Sequence, residues 1–374
     1  GDSKTRKKAT LSGAKVGFSG AAPQQEKELS DEELAALEAQ IGVMDSFTQD
    51  PMGAPQLQDT PLGDYLSSKA KNVSPREVVV KVVADVLKQP HVRSHGRDGD
   101  AGGLPFRSKA IFAFQRVDHG KHFVMCFGMF VNEYGPGCAA QHQGRVYIEC
   151  IDSVPLYGLE RGEERQALLS TIVHGYFDYT RAMGFRHLHM RVPPPTDENS
   201  YIFASRSLVV RLRASLHLAH WYTRLLQNAK AQNIIHSYSG DRTGNMPNFP
   251  LSLLQPGEMA AELAFKNVDT RALDPQTQEL MTRVMAQKER CFVIYLQHPN
   301  SSVLLVPDIA PLLPSAVASD RQKFVGVCVS QRLRFASLQQ AKYATLILVQ
   351  RMLTEQQHAA HQFDDGMRLE RPMS

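Results

Sequence analysis

A tryptophan and a tyrosine stand next to each other in a predicted helix and could take part in chemistry. Trp221 is the single tryptophan of the 374-residue chain, and Tyr222 follows it directly. A tyrosine phenol, whose ordinary pKa is about 10, can protonate a departing thiolate, and a tryptophan offers a broad apolar face to a ligand. The same pair on a helix is also typical of core packing, and residue type alone leaves both interpretations open.

A strand end, a helix start and an arginine follow each other between residues 151 and 165. Ile151, Asp152 and Ser153 end a predicted strand, and Arg165 lies near the start of the next predicted helix. A helix N-terminus and a guanidinium group together can hold a phosphate or an extended pantetheine chain. The alternative, which composition favours, is an ordinary connection in which Asp152 and Ser153 are turn or capping residues.

Two further groups of polar residues have both a chemical and a structural interpretation. His187 and His189 form an HxH pair, but no third ligand has suitable spacing, so structural histidines are expected and no metal site is predicted. Arg206, Arg211 and Arg213 lie in a predicted loop. They are either a solvated basic surface or contacts to an anionic ligand.

Hydrophobic periodicity predicts the elements that position these residues. The predicted strands are residues 77–86, 109–117, 122–133, 145–151, 185–192 and 291–297. The predicted helices are residues 62–70, 164–183, 216–232, 276–288, 320–329 and 337–353, and a loop is predicted over 237–256. The second to fourth strands are separated by turn signals and are expected to be antiparallel neighbours. The alternation of strands and helices predicts a single α/β (α+β) domain around one mixed sheet.

Composition excludes several classes of protein. The net charge of +4 is too small to indicate nucleic-acid binding, and the five cysteines contain no CxxC pair, which suits a reducing compartment. No apolar run reaches the roughly 18 residues of a membrane span. Residues 1–55 are expected to be largely disordered, basic and polar with one short helix, residues 56–356 to be the folded domain, and residues 357–374 to be a polar tail. The first residue is Gly1, which indicates a piece of a longer protein.

Several segments together resemble the catalytic domain of the CREB-binding-protein family of histone acetyltransferases. They are FRSKAIFAF (106–114), CFGMFVNEYG (126–135), RVYIECIDSV (145–154), PPPTDENSYIF (193–203), HWYTRLL (220–226) and VPDIAPLLPS (306–315). Each segment alone is a weak signal, but their order and much of their spacing agree with the family from about residue 58 to about residue 355. The collinearity therefore identifies the family.

The resemblance implies a function in chromatin and transcription regulation. Members of the family transfer acetyl from acetyl-CoA directly to a lysine side chain, through one domain with a central sheet wrapped by helices and loops. The implied partners are histone tails and other lysine-rich proteins, with transcription factors bound through the parent protein, and the implied location is the nucleus. Neither direct nucleic-acid binding nor membrane binding is expected, and no metal is implied.

The resemblance also assigns roles to positions of this chain. Tyr222 would be the general acid that protonates the coenzyme thiolate. The cofactor-binding residues would be Ile151, Asp152, Ser153, Arg165, Gln166, Leu212, His217 and Trp221. The substrate-binding residues would be Ser108, Arg191, Tyr201, Asp241 and Asp320. Several positions depart from the family pattern. Gln166 replaces a threonine, Arg191 a tunnel tryptophan and His217 an arginine, and the family's acidic pair falls on Ser319 and Gln322, on either side of Asp320.

Two other functions stay open at the level of sequence. A catalytically weak or inactive relative could serve as a CoA-binding or protein-interaction module, and the departures at Gln166 and Arg191 favour that alternative. An acetyltransferase of the other large class would hold pyrophosphate on an Arg/Gln-x-x-Gly-x-Gly/Ala turn. The nearest string, RAMGFR at residues 181–186, ends in the wrong residue and lies at a predicted helix end.

Overall fold

A computed structural model describes most of the chain from residue 53 onward. The described residues are 53–89, 105–117, 122–154, 162–195, 201–203, 208–240, 250, 253–254, 256–287 and 290–369. The predicted short N-terminal helix, Arg206 and Asp241 lie outside them. No helix within the described ranges is both long and apolar enough to cross a membrane.

A single mixed sheet runs through the described part of the chain. Its strands are β1 Val78–Lys88, β2 Phe106–Val117, β3 His122–Tyr134, β4 Arg145–Ser153, β5 His187–Arg191, β6 Ser237–Gly240 and β7 Cys291–Tyr295. They lie in the order β1-β2-β3-β4-β5-β7-β6. The first four form an antiparallel meander, β5 is parallel to β4, and β7 and β6 continue antiparallel. The predicted mixed sheet and its antiparallel neighbours are confirmed.

Helices pack against the sheet and against each other. Within the described ranges they are α1 Pro61–Lys71, α2 Gly162–Ala182, α3 Leu208–Ala231, α4 Pro256–Lys266, α5 Pro275–Met285, α6 Arg321–Ser330 and α7 Leu338–Leu369. α1 contacts β1 and α2, α7 contacts β3, and α3 contacts α5. Side chains cap three N-termini, because Thr60, Asp274 and Asp320 each accept a hydrogen bond from a backbone N–H three residues later.

The C-terminus of α2 shows why one glycine is required. Gly184 has φ +89°, a left-handed conformation that ends the helix as predicted. Its N–H donates to Arg181 O at 3.0 Å, and the N–H of Phe185 donates to Thr180 O at 3.1 Å. A Cβ on Gly184 would lie 2.1 Å from Leu304 O. The segment after β7 therefore crosses this helix end at backbone contact distance.

α3 begins earlier than its sequence pattern predicted. The helix starts at Leu208 rather than residue 216, so the prediction of a loop at Arg211 and Arg213 is wrong. Leu212 lies in an apolar cluster with Phe265, Leu280, Met281 and Val284 of α4 and α5. Arg211 and Arg213 flank Leu212, so the sequence pattern does not show an apolar helix face. The face is recognised only from its packing against α5.

Three further elements differ from the sequence prediction. β6 lies in a segment that was predicted as a loop, and α4 lies in residues that were largely left unassigned. α7 continues to Leu369, beyond its predicted end at residue 353. The sequence of β6, SYSG, has no strand pattern. These residues form a strand because their backbone pairs with β7. α7 also passes through residue 357, where the polar tail was expected to begin, and the domain limits stay predictions.

Candidate active site

The carboxyl end of β4 meets the first turn of α2 through one side-chain pair. Arg165 Nη2 donates to Ser153 Oγ at 2.6 Å and to Val154 O at 3.1 Å. Both side chains are half-buried, Ile151 is buried beside them in the chain, and Gln166 is exposed. A guanidinium group at the N-terminal turn of a 21-residue helix provides charge and N–H donors for an anionic group.

Asp152 fastens the end of β4 to the segment that contains Tyr201. Its Oδ1 accepts from the backbone N–H of Ser153 at 2.8 Å, and its Oδ2 accepts from the N–H groups of Ile202 and Phe203 at 3.0 Å each. The carboxylate is buried. Three backbone donors are therefore satisfied by one side chain, and Tyr201, itself buried, is held beside β4.

Tyr222 lies in the interior at the same place. Its ring packs edge-on against Phe292 with centroids 5.9 Å apart, and the half-buried Trp221 ring lies 5.7 Å away. The side chain has no exposed surface. Burial raises the pKa of Tyr222 well above 10, and Cys150, Tyr201 and Asp152 raise the pKa further. The phenol is consequently protonated at neutral pH and can act only as a proton donor.

Cys150 shares these surroundings and is not poised as a nucleophile. The residue is buried on β4, and burial is the main reason why the pKa of its thiol is raised far above the ordinary value. A nucleophilic cysteine requires the opposite shift, toward the thiolate. Cys150 is therefore unsuited to form a covalent intermediate.

Arg191 is the centre of a buried ion cluster. Nε donates to Tyr147 Oη at 2.9 Å, Nη1 to Glu262 at 2.7 Å and Nη2 to Glu258 at 2.9 Å. The Tyr147 hydroxyl also donates to Glu258, at 2.6 Å. Both glutamates lie on α4, which places this helix over β5. Arg191 thus joins sheet to helix, and all three of its guanidinium nitrogens have protein partners.

The remaining candidates from the sequence are dispersed. Leu212 has no exposed surface and belongs to the cluster between α3, α4 and α5. Ser108 is buried on β2 opposite Asn132, and His217 is exposed on α3. Asp320 caps α6 and lies 3.5 Å from Lys88 Nζ. The structure therefore brings together the β4 end, Arg165, Tyr201 and Tyr222, and it leaves Leu212 outside this group.

The HxH pair is a structural feature of β5. The rings of His187 and His189 are stacked with centroids 6.4 Å apart. Arg145 Nη1 lies 3.1 Å from His189 Nε2, and since arginine has no acceptor, that nitrogen accepts and the proton lies on Nδ1. No group of three or more potential metal ligands occurs in the described ranges.

Sequence reasoning missed a second buried ion pair beside the site. Glu149 Oε1 accepts from Arg321 Nε at 3.0 Å, and both side chains are about one-eighth exposed, at 12% and 13%. The available signal was a lone glutamate inside the otherwise uncharged strand segment VYIECI, residues 146–151. A charge at such a position requires a partner, and α6 supplies it.

Comparisons with known proteins agree on one family. Residues 62–243 match the model of the histone acetyltransferase domain KAT3. A probable histone acetyltransferase HAC-like 2 from rice is 32% identical over 42% of this chain and 12% of its own length. The protein cbp-1 of Caenorhabditis elegans is 33% identical over 33% of this chain and 6% of its own length. The histone acetyltransferase HAC12 of Arabidopsis thaliana is 28% identical over 50% of this chain and 11% of its own length.

These relatives are far longer than the region that they share with this chain, which spans between 6% and 12% of their lengths. Among solved structures, Rtt109 from Aspergillus fumigatus is similar with a TM-score of 0.41 and 11% identity. That match covers 79% of this chain and 96% of the other.

Proposed function

Because the chain belongs, through residues 62–243, to the KAT3 family of histone acetyltransferase domains, we propose that it transfers acetyl from acetyl-CoA directly to the side-chain amine of a lysine. The observation that carries this proposal is the convergence of Tyr222 with the Ser153–Arg165 pair, joined through Asp152. A proton donor and an anion-binding helix start then face one strand end. That is the minimum that transfer from a thioester with a phosphate-bearing carrier requires.

The residues at the end of β4 fit acetyl-CoA. Arg165 and the N-terminal turn of α2 suit a coenzyme phosphate, and Ser153 orients the guanidinium group through its hydroxyl. The half-buried face of Trp221 offers apolar surface to the pantetheine chain, whereas the side chain of Ile151 is buried and offers little. Tyr201 lies on the acceptor side, held by Asp152. We infer the same partition for the site as a whole, with donor binding at α2 and acceptor binding beyond Tyr201.

Tyr222 supplies a proton to the leaving sulfur. A phenol whose pKa is raised well above 10 is a weaker acid than a thiol in water, so proton transfer to an ordinary thiolate would run uphill. The surroundings remove this difficulty, because the buried Cys150 thiol beside Tyr222 also has a strongly raised pKa. A thiolate formed in this place is a strong base for the same reason. Its protonation by Tyr222 then accompanies breakage of the carbon–sulfur bond.

The substitution Tyr222→Phe tests this role. The variant keeps the ring that packs on Phe292 and Trp221 and removes only the hydroxyl. We expect kcat to fall by about 100-fold or more, since general acids contribute 10²–10⁴-fold, with acetyl-CoA affinity unchanged by calorimetry. Tyr176→Phe is the matched control, because Tyr176 is equally buried and donates to Glu133 instead. A kcat for Tyr222→Phe within three-fold of the parent contradicts the role.

The inactive-module alternative depends on Arg191 and Gln166, and the structure weakens its argument. Arg191 is fully engaged with Tyr147, Glu258 and Glu262, so its presence reflects how α4 is attached to β5. Gln166 is exposed. Acetylation of histone tails by the purified chain separates the two functions. We also propose histone tails and other lysine-rich proteins as substrates in the nucleus, with transcription factors bound through the parent protein.

A further inference from the structure

A groove of about 700 Å³ lies between α6 and α7. Its apolar lining is formed by Ala316, Val317, Val327, Leu333, Tyr343 and Ile347. Val327, Tyr343 and Ile347 are only half-buried, so apolar surface is left open here. The wall that α7 contributes contains Tyr343, Ile347, Gln350 and Thr354, at spacings of four, three and four residues. This spacing places them on one face of the helix, as in a seam that packs against another helix.

The charge around the groove is mainly positive. Arg351 is exposed in its lining and contacts the neutral side-chain amide of Gln331. The lining also contains Glu355, whose Oε2 accepts from Ser315 Oγ at 2.9 Å and from the next backbone N–H at 3.1 Å. Three exposed arginines lie in the lining or beside one of its residues in the chain: Arg332, Arg334 and Arg351. An apolar partner with acidic flanks therefore fits this groove.

The described chain begins beside one end of the same groove. The backbone N–H of Gln58 donates to Gln356 Oε1 at 3.0 Å, and Gln356 directly follows Glu355 of the groove lining. The buried Lys81 holds this segment in place, since its Nζ donates to Leu57 O at 2.8 Å. The residues that precede the described part therefore continue from a fixed point next to the groove.

One segment of this preceding sequence matches the groove in character. Residues 30–41, SDEELAALEAQI, begin with a capping box and predict an amphipathic helix. The apolar face of that helix comprises Leu34, Leu37 and Ile41. At about 100° per residue, Glu33 and Glu38 lie on the two sides of this face. The sequence thus predicts an acidic helix with one apolar stripe, which is complementary to an apolar groove with a basic edge.

The segment also matches the groove in length and reach. A helix over residues 31–41 is about 16 Å long, and so is the wall of α7 between residues 343 and 354. The far end of this wall lies about 20 Å along α7 from Gln356. Residues 42–52 connect the predicted helix to the described chain and can span up to about 36 Å when extended. The connection is therefore long enough for the helix to lie along the groove.

We propose that residues 31–41 bind as a helix in the groove between α6 and α7 of the same chain. The apolar face of the helix covers Tyr343 and Ile347, and its acidic flank lies near Arg351. The covalent connection supplies an effective concentration of about millimolar, so a weak contact suffices to keep the groove occupied. This docking goes beyond the proposed acetyl transfer and does not depend on it.

Hydrogen exchange of the whole 374-residue chain, followed by mass spectrometry, tests the docking. An isolated helix of this length is marginal in water, so its amides would exchange almost as fast as those of an unfolded chain. In the parent we expect the amides of residues 34–41 to exchange at least about ten-fold more slowly than in Leu37→Asp, which places a charge in the apolar face. Arg351→Glu reverses the charge of the groove edge and should speed up the same exchange by about three-fold.

Each variant has a control with the same change of charge. Ala39→Asp adds its carboxylate on the opposite face of the predicted helix, and Arg283→Glu reverses an exposed arginine of α5, outside the groove lining. Both controls should leave the exchange of residues 34–41 unchanged. Hydroxyl-radical footprinting then locates the contact, because Tyr343 should be oxidised more slowly in the parent than in Leu37→Asp.

The outcomes decide between this docking and other occupants of the groove. Equal exchange in the parent and Leu37→Asp overturns the proposal, and so does equal oxidation of Tyr343 in the two proteins. A loss of protection in Ala39→Asp as large as in Leu37→Asp overturns the assignment of the apolar face. Light scattering that shows a dimer in the parent and a monomer in Leu37→Asp overturns binding within one chain and assigns the groove to a second copy.

Discussion

His189 should make the stability of the protein fall as the pH falls below neutral. The side chain has no exposed surface, and Arg145 lies 3.1 Å from its Nε2, so the ring is held neutral. Burial, with the nearby Arg145 and His187, lowers the pKa of His189 to about 3. Protonation in the folded state would place a second positive charge beside Arg145 in a dry interior. The unfolded chain has no such obstacle.

The sign and size follow from the difference in pKa between the two states. The pKa of His189 in the folded state lies below the unfolded value of about 6.5. The stability that the neutral histidine allows is therefore fully present above pH 6.5, and it is lost as the pH falls toward 3. Between pH 7 and pH 5 the unfolded state takes up a proton that the folded state refuses. Linkage then gives a loss of about 2 kcal/mol in the free energy of unfolding from this residue.

Urea unfolding at pH 7, 6 and 5 measures the effect in the parent and in His189→Gln. The glutamine amide oxygen can accept from Arg145 but does not titrate, so the variant should lose about 2 kcal/mol less over this range. His187→Gln is the control on the same strand, because His187 is half-buried, has a lowered pKa and should contribute less. If the parent and His189→Gln lose the same free energy between pH 7 and 5, the assignment of a buried neutral histidine is wrong.

Two other substitutions test how the site is supported. Arg191→Met removes the cation that Glu258 and Glu262 share, leaving Arg290 Nη2 3.8 Å from Glu262, and should cost about 3 kcal/mol by urea unfolding at pH 7. A cost below about 1 kcal/mol would show that α4 is not attached through this cluster. Gly184→Ala meets a positive φ and Leu304 O and should lower Tm, whereas Gly326→Ala, inside α6 with open space at its Cβ, should leave Tm unchanged or raise it. Equal Tm changes would contradict the clash at Gly184.

The sequence predicts the sheet well where strand pattern and turn chemistry agree. The meander from residue 109 to 151 has apolar runs with clear turn signals between them, and pairing follows from order alone. The prediction for the start of α3 is wrong because Arg211 and Arg213 interrupt the apolar pattern. Leu212 is buried by residues of α5 that lie about 70 positions later in the chain. β6 was not predicted for a similar reason, because its strand conformation depends on pairing with β7.

The candidate site divides along the same line. Proximity of Ser153 to Arg165 follows from a strand, a short connection and a helix, and the sequence order contains that information. The partners of Arg191 do not follow, because Glu258 and Glu262 lie about 70 residues away on a helix that the pattern did not predict. Glu149 was visible in the sequence as a charge within an uncharged strand segment. The sheet face on which its side chain lies depends on a β-bulge, which a strict alternation of side chains does not predict.

The three hydrogen bonds of Asp152 give the site a mechanical property. One oxygen holds the backbone at Ser153, beside the proposed donor site, and the other holds residues 202 and 203, beside Tyr201 of the proposed acceptor site. We therefore expect a displacement of either segment to be transmitted to the other through this carboxylate. We expect an inhibitor bound under residues 201–203 to weaken the proposed coenzyme binding and lysine binding together.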